Sequence, residues 1–112
     1  MKLFDFLSDI DNYEDRKVDS YKKDDLFVDT CRVSDSTKPF ETAVSHPAFN
    51  DNNLIIVELY DTEEAAKEGH LRWIDKMLNN PPLQLIDVST AGAASLLRAL
   101  GGLPAYERNP AL

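Results

Sequence analysis

Three residues of this chain, His46, His70 and Cys31, carry side chains that could bind a soft metal ion or act as a base or nucleophile. They lack the closely spaced pairs from which structural zinc sites usually draw their four ligands. Glu63 and Glu64 could together bind a hard cation. Their position at the start of a predicted helix is explained more simply by helix capping. The sequence therefore predicts no metal site and no cofactor.

His70 is the first candidate for a catalytic group, because it lies near Trp73 on the apolar side of the predicted helix. In one interpretation it is a general base in a pocket between helix and sheet, which needs an oriented partner and a substrate cavity. In the other it is a core histidine, bonded to a backbone carbonyl or to a strand residue such as Tyr60. The sequence shows neither partner nor cavity, which favours the core histidine. His46 precedes Pro47 and is predicted to be extended at a strand end.

Cys31 is the single cysteine of the chain, so it cannot form an internal disulfide. The simplest interpretation is a small buried residue in a reducing compartment. An intermolecular bridge and a reactive thiol are the alternatives. The charged neighbours Asp29 and Arg32 are expected to oppose each other in their effect on the thiol pKa.

Composition limits the classes of function. The 112 residues suit one domain, and 43% of them are hydrophobic. A formal charge of −8, from 20 acids and 12 bases, argues against binding to nucleic acid or to an anionic membrane surface. No apolar run approaches the ~20 residues of a membrane span, and the first residues do not resemble a signal peptide. Catalytic and phosphate-binding motifs such as GxSxG, HExxH and GxGxxG are absent from the sequence.

Apolar periodicity predicts the elements that position these residues. Residues 26–33, 40–46 and 54–60 read as strands of a three-stranded antiparallel meander, and residues 50–53 as a turn. Asp61 is predicted to start a helix, with Glu64 as its capping-box partner, that buries Ala66, His70, Trp73, Ile74, Met77 and Leu78. Gly69 costs about 1 kcal/mol inside this helix relative to alanine, and its missing side chain is expected to let the helix approach the sheet closely. Residues 83–88 suit a fourth strand after a right-handed parallel crossover. A C-terminal helix is predicted to follow and to stop at Gly101.

The two ends of the chain differ in composition from this core. Residues 3–10 suit a short helix, and residues 11–25 suit a charged connector or arm. We therefore expect an N-terminal segment over residues 1–25, an α+β core over 26–102 and a tail over 103–112. The pattern offers no core-facing role for several apolar side chains in the end segments. The predicted partner contacts are Tyr13, Val18, Tyr21, Leu103, Tyr106 and Leu112.

Three stretches of the chain resemble a group of small, mostly uncharacterised proteins encoded by tailed bacteriophages among their virion structural genes. The stretches are DNYEDRKV at 11–18, PFETAVSHPAFN at 39–50 and YDTEEAAKEGHLRWIDKM at 60–77. The resemblance implies a virion component, such as a capsid decoration or a head–tail accessory protein, made in the host cytoplasm. It implies no catalytic residues.

A strand, an acidic turn and a helix with an interior histidine are also similar to the dimeric ferredoxin-like monooxygenases. The helix that this fold places between its first two strands has no counterpart here, and likeness of fold does not establish function. We therefore expect a non-enzymatic virion protein that binds other virion proteins or copies of itself. The alternative is a small ferredoxin-like enzyme or ligand-binding domain with a pocket near His70 and Trp73.

Overall fold

The computed structural model describes residues 16–33, 38–89 and 100–111, which form an α+β fold. Strands β1 (Lys17–Lys23), β2 (Leu26–Arg32), β3 (Phe40–Ser45) and β4 (Ile55–Tyr60) form an antiparallel sheet in the order β1-β2-β3-β4. The predicted strands at 26–33, 40–46 and 54–60 are confirmed in type and nearly in extent. The meander has four strands, however, so the three-stranded prediction was wrong.

The additional strand, β1, comes from the stretch that was predicted to be a charged connector. It pairs with β2 from Lys17 to Lys23, with a shift of register between Lys17 and Asp19. Val18 and Tyr21 are half-buried against the core, whereas Lys22 and Lys23 are exposed. Because β1 is an edge strand, its charged side chains can face water while two apolar side chains hold it in place.

The connection from β3 to β4 confirms the turn predicted at residues 50–53. Asn50, Asp51 and Asn52 have φ angles of 50°, 52° and 69°, a left-handed region that Asn and Asp enter more easily than most residues. Ser45 Oγ donates to the backbone carbonyl of Asn52 at 2.8 Å. The turn is thereby tied to the end of β3.

A long helix, α1 (Glu63–Asn79), follows β4 and covers one face of the sheet. The N-cap is Thr62, whose side chain accepts from the amide of Ala65 at 3.1 Å, so the predicted cap at Asp61 was wrong by one residue. Ala66, His70 and Met77 are buried as predicted. Leu78 was predicted to be buried and is exposed.

The segment after α1 differs most from the prediction. Strand β5 (Gln84–Ile86) does form, but it pairs antiparallel with β6 (Ala105–Glu107) in a separate two-stranded sheet. The predicted parallel crossover into the main sheet was therefore wrong, and the strand order does not confirm a ferredoxin-like relationship. Most of the predicted C-terminal helix, and the predicted helix at 3–10, lie outside the described residues.

The core lies between α1 and the sheet and is closed at one end by β5. Its larger cluster includes Val28, Val44, Phe49, Ile55 and Leu85, and a smaller one joins Phe40, Tyr60 and Ala66. Among residues 16–33, 38–89 and 100–111, no helix has the length and apolar character needed to cross a membrane.

The cap position gives a direct test of the local structure. We expect Thr62→Ala to lower the free energy of unfolding by about 1 kcal/mol, because the amide of Ala65 loses its acceptor. Asp61→Ala should change it by less than about 0.5 kcal/mol, because Asp61 only faces Lys38 across the solvent-exposed surface. Urea unfolding of both variants measures the difference, and a larger loss for Asp61→Ala would contradict the observed cap.

Candidate functional site

The structure places His70 at the centre of a buried polar chain between α1 and the sheet. The side chain is 1% exposed, and Nδ1 lies 2.7 Å from Thr30 Oγ1. Thr30 Oγ1 is 2.7 Å from Thr42 Oγ1, which is 3.0 Å from Tyr60 Oη. We call Thr30, Thr42 and Tyr60 the hydroxyl chain. The prediction of a core histidine bonded to a strand residue is confirmed, although Thr30 rather than Tyr60 is its direct partner.

The far end of the hydroxyl chain is a carboxylate. Tyr60 Oη donates to Glu58 Oε1 at 3.3 Å, and Trp73 Nε1 donates to the same oxygen at 2.7 Å. The guanidinium of Arg72 forms a salt bridge to it as well. Three donors, on Tyr60, Trp73 and Arg72, thus converge on Glu58 Oε1, which is the acceptor in all three contacts.

This carboxylate gives the hydroxyl chain a direction. Each hydroxyl has one proton, so if Tyr60 donates to Glu58 it must accept from Thr42, and Thr42 must accept from Thr30. Thr30 then accepts from His70 Nδ1–H. Neutral His70 therefore carries its proton on Nδ1, and its Nε2 is an acceptor.

The other ring nitrogen of His70 has no matching partner among the described residues. Nε2 is buried without a hydrogen bond and lies 3.9 Å from Asp19 Oδ2 on β1. Asp19 is 60% exposed, so water solvates most of its charge. An unprotonated nitrogen therefore faces a carboxylate, and a proton on Nε2 would turn this contact into an attraction.

Burial is the main cause of the pKa shifts of His70 and Tyr60. Burial lowers the pKa of His70 below its ordinary value, and the charges of Asp19 and Asp29 partly offset this effect. Burial also raises the pKa of Tyr60 to about 12, with the bond to Thr42 working in the opposite direction. His70 is therefore held mainly neutral and Tyr60 is held protonated, which is the state that the hydroxyl chain requires.

Gly69 allows α1 to approach the sheet closely enough for these contacts. A Cβ atom at this position would overlap the ring and hydroxyl of Tyr60. Glycine costs about 1 kcal/mol in a helix relative to alanine. The close approach predicted for Gly69 from the sequence is confirmed, and Tyr60 is the side chain that fills the space.

The arrangement is suited to hold the helix in register rather than to turn over a substrate. A general base must reach the proton that it removes, and the side chain of His70 is almost fully buried. Hydrogen bonds between buried side chains favour the one packing arrangement in which they form. The hydroxyl chain thus fixes the position of α1 relative to β2, β3 and β4.

The other two residues that could bind a metal ion or react as a base or nucleophile, His46 and Cys31, lie outside the hydroxyl chain. His46 lines a cleft of about 360 Å³ between the residues before β4, the end of α1 and the C-terminal segment. Cys31 is half-buried, and its thiol donates to Asp29 Oδ2 at 3.3 Å. Burial raises the thiol pKa most, the charges of Asp29 and Glu41 raise it further, and the charge of Arg16 lowers it only in part, so the thiol is a poor nucleophile. The predicted opposing effect of Arg32 is not found. Within the described ranges no group of three or more His, Cys, Asp or Glu side chains could hold a metal ion.

The structure gives core-facing positions to several of the predicted contact residues. Tyr21 and Tyr106 pack against the larger core cluster, and Val18 packs against the smaller one. Leu103 is half-buried. Tyr13 and Leu112 lie outside the described residues. The contact roles of these six side chains stay predictions.

Thr30 and Thr42 are the site residues that sequence reasoning missed. Each lies on the same face of its strand as a buried valine two residues away, Thr30 beside Val28 and Thr42 beside Val44. Two threonines at core-facing positions, together with a core histidine, signal a buried hydrogen-bond network. Only the register of β2 against β3, which pairs Thr30 with Thr42, shows that they meet.

The contact between Gly69 and Tyr60 can be tested with a double-mutant cycle. We expect Gly69→Ala to lower the free energy of unfolding by about 2 kcal/mol, because overlap with Tyr60 outweighs the better helix propensity. In a Tyr60→Leu background the same change should be neutral or stabilising. Glu68→Ala, at the exposed neighbouring position, is the control. Equal losses from Gly69→Ala in both backgrounds would show that the contact does not exist.

The buried histidine predicts a pH dependence of stability. A histidine whose pKa is lowered by folding contributes its full stability above 6.5, its ordinary value, and loses it as the pH falls towards the folded value. Between pH 7.5 and 5.5, the wild-type protein should lose about 1 kcal/mol more unfolding free energy than His70→Gln does. Urea titrations at the two pH values measure this. Parallel losses in the two proteins would mean that His70 does not titrate differently on folding.

Known proteins provide no template for this site. Comparison of the chain with models of protein families, with curated proteins and with solved structures gives no match. The resemblance to tailed-bacteriophage virion proteins and the likeness to ferredoxin-like monooxygenases therefore stay predictions from the sequence.

Proposed function

We propose that this chain is a non-enzymatic binding protein of a tailed-bacteriophage particle, acting through contacts with other virion proteins or with copies of itself. The particle context comes from the sequence resemblance. The observation that supports a binding role is a set of large apolar side chains exposed on the described surface. An enzyme acting through His70 is less well supported, because that side chain is 1% exposed.

Four exposed apolar side chains lie within residues 71–86, and we call them the apolar set. Leu71 and Leu83 are 65% and 76% exposed. Leu78 and Ile86 are exposed to a smaller extent. Leu71 and Leu78 are seven residues apart on α1 and therefore lie on the same side of the helix, about 100° around its axis from the buried His70 and Met77. Single exposed leucines are common, but a set along one helix and the strand after it is typical of a protein interface.

The composition around the apolar set suits contact with protein rather than with nucleic acid or membrane. Glu68 and Asp75 lie on the exposed part of α1, and the chain carries a net charge of −8. Carboxylates around apolar side chains repel phosphate groups. They can form the polar rim that surrounds the apolar centre of a protein–protein interface.

The β1 edge of the main sheet is a less suitable contact surface. Strand β1 presents Lys22 and Lys23 to solvent. Lysines on an edge strand hinder the addition of a further strand from another molecule. The side chains of α1 and β5 are therefore the part of the described surface on which we place the partner.

The test is whether polar substitutions in the apolar set remove the chain from particles. Leu71→Ser and Leu83→Ser together should reduce its amount in purified virions at least about tenfold, measured by quantitative mass spectrometry. The protein should stay folded, because both side chains are exposed. Asp25→Ser, in the exposed turn between β1 and β2, is the control and should be incorporated normally.

Light scattering on the purified chain separates the two kinds of partner. Self-association that is lost in the double variant would identify a second copy as the partner, whereas a monomeric wild-type protein that still enters virions would identify another virion protein. Absence of the wild-type chain from particles would overturn the virion proposal. Normal incorporation of the double variant would overturn the role of the apolar set.

A further inference from the structure

The cleft beside His46 has the composition of a ligand site. Its walls come from His46, Ala48 and Phe49 before β4, from Met77 and Pro81 at the end of α1, and from residues 108–110 after β6. A volume of about 360 Å³ lies at the lower end of the range of small-molecule sites. None of the residues that line the cleft belongs to the hydroxyl chain.

Arg108 gives the cleft a positive charge that the described residues do not neutralise. Its Nη1 donates to the backbone carbonyl of Pro81 at 3.0 Å, and its backbone amide donates to Leu83 O at 2.8 Å. No carboxylate in the described ranges forms a salt bridge with it, although the chain has 20 acidic residues. Most of the five guanidinium donors are therefore available to a ligand.

The two other polar side chains of the cleft also present donors, because their acceptor atoms are already engaged. His46 Nδ1 accepts from the amide of Ala48 at 3.0 Å, which places the ring proton on Nε2. Asn109 Oδ1 accepts from the amide of Ala111 at 3.0 Å, which leaves its NH₂ group as donor. The cleft therefore presents three donor groups, one of which is a charged guanidinium, and this lining favours a ligand that accepts hydrogen bonds and carries negative charge.

The rest of the lining is apolar and limits the shape of that ligand. Phe49 is almost fully buried and Met77 is buried, while Pro81 is half-buried. A flat carboxylate suits the fork of donors on a guanidinium, and an apolar group next to it suits these walls better than the hydration shell of free phosphate does. We propose that the cleft binds a small organic acid, a carboxylate attached to a compact apolar group.

Benzoate is a suitable probe, with benzamide as its uncharged analogue of the same shape. In ¹H–¹⁵N spectra of the full chain, benzoate at up to about 10 mM should shift the amides of Ala48, Phe49, Met77 and Asn109. Benzamide should bind at least about tenfold more weakly, because it lacks the charge that Arg108 recognises. Equal shifts with both compounds, no shift with benzoate, or shifts spread over the whole surface would each overturn the proposal.

Two variants with the same change of charge test the role of the guanidinium. Arg108→Gln should weaken benzoate binding at least about tenfold, whereas Arg32→Gln, exposed at the end of β2, should leave it within about twofold. His46→Phe should also weaken binding while keeping an aromatic side chain next to Phe49. It serves as the second test if Arg108→Gln disturbs the fold, which its amide spectrum would show. Equal effects of Arg108→Gln and Arg32→Gln would mean that only net charge matters.

Discussion

The position of α1 on the sheet depends on one close contact, that of Gly69 with the ring of Tyr60. Because residue 69 has no side chain, the tyrosine can lie beneath the helix and direct its hydroxyl to Thr42 and Glu58. His70 can then contact Thr30 on β2, which is two strands away from Tyr60 on β4. A helix displaced outward by a methyl group would separate these partners and leave buried polar atoms without hydrogen bonds, which the core tolerates poorly.

The interior that this contact organises has a different role from the surfaces on which we place the function of the protein. The polar atoms between α1 and the sheet are largely used by one another, so this interior stabilises a shape. The apolar set and the cleft beside His46 both adjoin the C-terminal half of α1. A helix held at one height and one rotation keeps both surfaces in constant geometry, which lowers the entropic loss on binding a partner or ligand.

The sequence predicted those parts of the fold that depend on local periodicity. The pattern in β2, β3 and α1 extends over enough residues to define each element, and Gly69 was assigned its close approach from the cost of glycine in a helix. Strand β1 was missed because it has only two large apolar side chains, Val18 and Tyr21. The charged residues around them gave the stretch the composition of a solvated connector. The pairing of β5 with β6 and the meeting of Thr30 with Thr42 are contacts between distant residues, which local patterns do not encode.

Residues 104–109 form backbone hydrogen bonds with three segments that lie earlier in the chain. Pro104 O accepts from Asp87 N, Arg108 N donates to Leu83 O, and Asn109 N donates to Ala48 O. About sixty residues separate Ala48 from Asn109. During synthesis, the amide that binds the Ala48 carbonyl is therefore added some seconds later, at ordinary elongation rates. Such non-local contacts raise the contact order and slow folding. The meander and α1 can collapse while the chain is still growing, whereas the small sheet and the cleft that it borders form last.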